Sequence, residues 1–289
     1  MAEKKIKSLH STTHFLAAPV FYKIFIGLFL LMACSQSHQK TAKDYLNAAQ
    51  QAYEEGNYDL AKRQIDSIKI KFPKAFKEIK AGFALMQDVR LAENRRNIAF
   101  CDSMLQVNYD TLKVMLLKFD YVRDEEYQEF GDYIPKIYPL SQTLYQNTVR
   151  SGVQEKGNLY LESVVVGSNI HHNHIRVSLP EGEYAETLPV TSEGLNYRFS
   201  TLTASYEIVR YSGENENGVA QFVYTFKDHP ITVHFIGKRT LSKRLSNKEK
   251  EAISQSYELS SLLLEIERLK FEKEKSEVLI RYLLSKQTE

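Results

Sequence analysis

The chain has 289 residues, with 38 Lys and Arg against 36 Asp and Glu, a formal net charge of +2. That balance supplies no global field to favour nucleic acid, and no nucleic-acid partner is expected. Twelve Gly, seven Pro, 18 Tyr, 15 Phe and no Trp favour long regular elements and exclude a low-complexity chain.

The first notable stretch is KIFIGLFLLMACSQS, Lys23 to Ser37. Its apolar core, Ile24 to Ala33, is about half of the 20 or so residues that a helix needs to cross a bilayer. Lys4, Lys5, Lys7 and Lys23 precede it with one acid, Glu3, and polar residues follow from Ser35. Positive residues, a short apolar core and a small residue at the boundary are the pattern of a secretory signal over residues 1–33. A core helix fits less well, because the run has no polar face.

The boundary Leu31-Met32-Ala33-Cys34 resembles a bacterial lipobox: an aliphatic residue, a tolerated one, a small one, then cysteine. The resemblance implies cleavage between Ala33 and Cys34. It also implies diacylglycerol on the Cys34 thiol and a further acyl chain, such as palmitate, on the new amino terminus. Several chains are needed because one alone, at about 0.8 kcal/mol per buried CH₂, anchors only reversibly. Ser35 stands where some bacterial lipoproteins carry an Asp for inner-membrane retention, so the outer membrane is favoured. The periplasmic and surface-exposed orientations both stay open. With Cys34 acylated, Cys101 has no partner for a disulfide and is read as a small buried hydrophobe.

A polar tether, residues 34–41, leads into a helical region expected over 42–150. Tyr45, Ala48, Ala49 and Ala52 recur at helical spacing, Gly56-Asn57 breaks the pattern, and Tyr58, Ala61, Ile65 and Ile68 form a facing stripe before Pro73. This helical hairpin, 42–73, resembles a tetratricopeptide repeat. The aromatic Tyr45, the small Ala49 at the helix crossing, the Gly56-Asn57-Tyr58-Asp59 turn, Ala61 and Pro73 carry the likeness. The resemblance implies a protein-contact role for Tyr45, Ala49 and Tyr58. One clear unit falls short of the three or more that a solenoid needs, so a hairpin packed on a long helix and a degenerate repeat array stand as equal readings. The acidic run Asp124 to Asp132 lacks the alternating ligands of a calcium loop and is read as a solvated face.

Residues 151–240 are expected to be β-rich. Strands are predicted at 158–167, at 174–179, at 197–211 with a break near Ala204, at 219–226 and at 231–237, the last three as an antiparallel meander. A small sheet covered on one side by helix follows from the limited stability of three strands alone. His171, His172 and His174 invite a metal, but no Cys or carboxylate motif accompanies them, so neither a metal nor another cofactor is expected. No nucleophile elbow, phosphate loop or HExxH motif is present, and no catalytic residue is assigned.

Ser246-Asn247-Lys248-Glu249 is a capping box. The helix it opens is predicted to run to about Ser285. Leu259, Leu262, Ile266 and Leu269 form an apolar seam that Lys273 and Ser276 interrupt. That seam packs either within the chain or against a second copy as a coiled coil, giving a possible homo-oligomer through the C-terminal helix. The basic residues Lys238, Arg239, Lys243 and Arg244 before the cap are read as a solvated hinge.

The expected protein is therefore α+β and lipid-anchored in the bacterial cell envelope. Its expected role is that of a non-enzymatic scaffold that binds unidentified protein partners. The alternative is a ligand- or metal-binding module built on the β-rich region.

Overall fold

A computed structural model describes residues 40–286, except 127, 141–143 and 192–193. The signal segment, Leu31, Ala33, Cys34 and most of the tether lie outside the described residues. The fold is α+β, with five helices and two antiparallel sheets among the described residues. The chain divides into two compact units, Met1–Val89 and Arg90–Glu289.

In the first unit, α1 (Ala42–Glu54) opens on a capping box: Thr41 and Asp44 each accept from the other's backbone N–H. Gly56 takes φ 72° at the turn, a left-handed conformation that glycine adopts without a Cβ penalty. Asn57 then caps α2 (Tyr58–Lys71) by accepting from Leu60 N–H. Ala49, Ala52, Ala61 and Ile65 are buried with Leu85 and Val89 from the start of α3 (Phe76–Leu116). Small side chains at the crossing let the two backbones approach closely. This is the predicted hairpin.

The second unit departs further from expectation. The region expected to be helical to residue 150 leaves the helix at Leu116. Three strands follow: β1 (Phe119–Val122), β2 (Asp132–Pro135) and β3 (Thr148–Gln154). Phe119 is buried with Val153 and Leu259. Burial and pairing with β2 override the helical pattern that runs up to it. Next come β4 (Leu159–Val166), β5 (His174–Ser178), β6 (Tyr184–Glu186), β7 (Asn196–Ser200) and β8 (Ser205–Ser212). Residues 219–226 are not a strand. Val219–Thr225 form helix α4, which starts after Gly218 at φ 79° and buries Val219, Ala220 and Val223 on one face. Val219 and Val223 fit both an alternating and a helical period, and tertiary burial of Val219, Ala220 and Val223 together selects the helical one.

The expected meander is replaced by two sheets, a six-stranded one ordered β1-β2-β3-β4-β8-β7 and a four-stranded one ordered β10-β9-β5-β6. Here β9 is Thr232–Ile236 and β10 is Thr240–Arg244. The segment read as a basic hinge thus contributes β10, paired to β9 with Thr240 opposite Ile236. Both sheets, α4 and the first turns of α5 (Asn247–Ser285) share one core that includes Val149, Leu161, Val209, Ile175, Phe235 and Ile253. Beyond the sheets, α5 continues along α3, where Cys101 and Leu105 pack with Ile266 and Leu269. Among the described residues no helix is long and apolar enough to cross a membrane.

Candidate functional site

The hairpin residues singled out by the repeat-like pattern have distinct roles. Ala49 is fully buried at the helix crossing. Tyr58 packs its ring 6.3 Å from that of Tyr53. Tyr45 is half-exposed; its hydroxyl accepts from Lys71 Nζ at 2.6 Å, and its ring lies 5.8 Å from Phe72. Of the three, Tyr45 and Tyr58 present surface.

Helix α5 carries two apolar faces. The seam residues Leu259, Ile266 and Leu269 are buried, and Leu262 packs beside them, against α3, β1 and β3 of the same chain. The interruptions of that seam are paired across to α3: Lys273 Nζ meets Asp102 at 2.6 Å, and Ser276 Oγ accepts from Asn97 at 2.8 Å. Cys101 is buried here, and burial pushes its thiol up. On the opposite face Leu264, Phe271 and Val278 are 49%, 63% and 49% exposed. Their seven-residue spacing keeps them in one stripe. Phe100, Val107 and Val114 repeat that spacing, exposed, on α3.

The histidine cluster resolves into separate hydrogen bonds. His174 pairs with Glu186 at 3.0 Å through Nε2. His171 takes φ 54° and donates its backbone N–H to Glu207 at 2.7 Å. His172 sits in the core with zero exposure, between Glu207 on β8 and Ser163 on β4. Its Nδ1 lies 2.8 Å from the Glu207 carboxylate and its Nε2 lies 2.7 Å from Ser163 Oγ. The ionised carboxylate accepts from Nδ1–H and so orients the ring, and Nε2 is hydrogen-bonded to Ser163 Oγ. Tyr211 OH completes the chain 3.0 Å from Ser163 Oγ. Burial pushes the Glu207 carboxyl up. Hydrogen bonds from the His172 ring and the backbone N–H groups of His171 and His172 outweigh burial and hold it at about 2.

Serine, imidazole and carboxylate in this order form the constellation that activates a nucleophile. In this structure Ser163 Oγ has no exposed surface for a substrate to reach. The array instead ties β4, β8 and the segment leading into β5 together with charge-assisted bonds. Among the described residues, no group of three or more His, Cys, Asp or Glu is placed to hold a metal ion.

A second charged cluster lies on the other face of the six-stranded sheet. Glu162 is clamped by Arg150 Nε and Arg210 Nε, each at 2.7 Å, and the Arg210 guanidinium stacks 3.9 Å from the Tyr160 ring centroid. Near the start of α5, the buried Glu249 accepts from Lys243 Nζ at 2.8 Å and Thr148 Oγ1 at 2.7 Å. Burial pushes its carboxyl up, but these bonds and the Ser246 N–H hold it below the usual range. No known protein family, curated protein or solved structure matches the chain.

Proposed function

We propose that the protein is a lipid-anchored component of the bacterial cell envelope, acting as a non-enzymatic scaffold that engages other proteins. The lipobox-like Leu31 to Cys34 supports the anchor, with the outer membrane favoured by Ser35. The observation that carries the scaffold role is the exposed stripe Leu264, Phe271 and Val278 on a helix whose other apolar face is already filled. Large apolar side chains repeated along one solvent-facing line are a protein-contact signature. The partner is either a second copy, meeting α5 with α5, or a distinct envelope protein.

Site-specific photocrosslinking in intact membranes tests this role. A crosslinker at Phe271 is expected to give a discrete adduct, and one at the exposed Glu181, in the turn between β5 and β6, is not. Equal smearing from both positions, or no adduct from either, would remove the scaffold reading.

A further inference from the structure

The end of the helical hairpin at which the described chain begins has a composition unlike the rest of its unit. Residues 40–44 and 69–80 hold Lys40, Lys43, Lys69, Lys71, Lys74, Lys77 and Lys80 against Asp44 and Glu78, seven positive to two negative. The opposite end, residues 51–63, holds Glu54, Glu55 and Asp59 against Lys62, which pairs with Asp59 at 3.0 Å, and Arg63, so it carries a slight negative excess. The fold brings the two basic segments together. The start of α1 and the end of α2 line one groove through Lys40, Thr41, Tyr45, Lys71 and Phe72. Lys71 Nζ lies 4.7 Å and Lys40 Nζ 5.9 Å from the Tyr45 ring centroid. The turn into α3 follows directly, with Ala75 N–H donating to Phe72 C=O. Among these lysines stand large apolar side chains in water: Ile70 at 77%, Phe76 at 76% and Phe83 at 59% exposure.

From these observations we infer that this basic, aromatic end of the hairpin is a docking face for an anionic lipid surface. Apolar side chains that enter the headgroup region, ringed by lysines, are the combination that binds peripheral proteins to anionic membranes. The charge asymmetry sets the orientation, basic end toward the lipid and the opposite end away from it. The inference rests on the anchored reading for what brings the face to a membrane. Lys40 is six residue steps along the chain from Cys34, and extended chain covers at most about 3.6 Å per step, so Lys40 lies within about 22 Å of an acylated Cys34. A face this near the anchor would lower the rate at which acyl chains leave the bilayer.

The absence of Trp from the chain provides the test. Phe76→Trp gives a single indole fluorophore, and the chain from Ser35 keeps all described residues while omitting the anchor. With phosphatidylglycerol vesicles, the indole emission of this variant is expected to move to shorter wavelength and to be quenched by acyl-brominated lipid. With phosphatidylcholine vesicles it is expected not to change. Each lysine at the headgroups contributes roughly a fivefold gain in partitioning, so Lys74→Glu, Lys77→Glu and Lys80→Glu together should lower it at least about a hundredfold.

Raising the salt to about 1 M, where charges are screened within about 3 Å, should do the same. Phe199→Trp, in the second unit, serves as a control expected to show no quenching. The inference is overturned by unchanged indole emission from the Phe76→Trp variant, by equal binding to neutral vesicles, or by undiminished binding of the triple lysine variant. A shift that tracks protein concentration without lipid would overturn it too, in favour of self-association. Acyl labelling of the full chain reads the anchor separately: its failure removes the anchor but not the face, and failure of the vesicle test removes the face alone.

Discussion

Replacement of Glu207 by Gln probes the buried relay most sharply. The carboxyl sits at about 2 in the folded protein against an ordinary 4.5. At 1.36 kcal/mol per pH unit, that gap corresponds to about 3 kcal/mol of stabilisation by the ionised form. The folded value is the depressed one. The contribution is therefore fully present above about pH 4.5 and is lost as pH falls from there through about 2. Glu249, also held below its usual range, titrates in the same direction, so the wild-type slope alone does not isolate Glu207. The difference between wild type and Glu207→Gln does.

Urea unfolding followed by circular dichroism at pH 7, 5, 4, 3 and 2.5 measures that difference. At pH 7 the Gln variant is expected to be about 3 kcal/mol less stable, since a carboxamide offers one acceptor oxygen where three N–H groups converge. By pH 2.5 the two proteins should approach one another. A constant difference across the range, or none at pH 7, would refute the account of Glu207 as an ionised, buried acceptor.

Other substitutions test the packing around it. Gly152→Ala places a Cβ against the Tyr160 ring on the neighbouring strand, and a loss of about 1–3 kcal/mol in urea unfolding is expected; a neutral result would contradict that close approach. Lys243→Met leaves Glu249 without its cation and should cost about 2 kcal/mol, whereas adding Glu249→Gln, which removes the buried charge but keeps an acceptor for the Thr148 hydroxyl and the Ser246 N–H, should recover part of the loss. An additive double variant would contradict that coupling. Cys101 should resist a thiol reagent at pH 8 in the native protein and react on unfolding, as a buried thiol pushed up from its ordinary value must. Prompt native labelling would deny its burial between α3 and α5.

Local rules reach the two ends of the chain more easily than its middle. The capping box at Ser246 and Glu249 is present, and the helix it opens ends at Ser285, because cap chemistry and a run without Gly or Pro are local properties. The hairpin is legible for the same reason. The second unit is harder because pairing decides it. Nothing in Thr240–Arg244 announces a strand until β9 lies beside it. The relay is hidden for a similar reason. Ser163 and Glu207 are 44 positions apart. Only the β4–β8 register, with Ser163 opposite Val209 and Val165 opposite Glu207, brings both to the core face near His172. The signal in the sequence is the cluster at His171, His172 and His174, but histidine spacing invites a metal before it suggests a hydrogen-bonded core. The exposed stripe of α5 lies in the sequence as Leu264, Phe271 and Val278, overshadowed by the stronger seam on the other face.

The anchor is the claim on which the envelope role depends, and one measurement addresses it directly. Cells expressing the wild-type chain or Cys34→Ala would be fed an alkyne analogue of palmitate, and label and membrane partitioning would be followed together. The account predicts a labelled, membrane-bound wild type, and an unlabelled variant released from the outer-membrane fraction. Equal labelling and equal partitioning of the two proteins would contradict it.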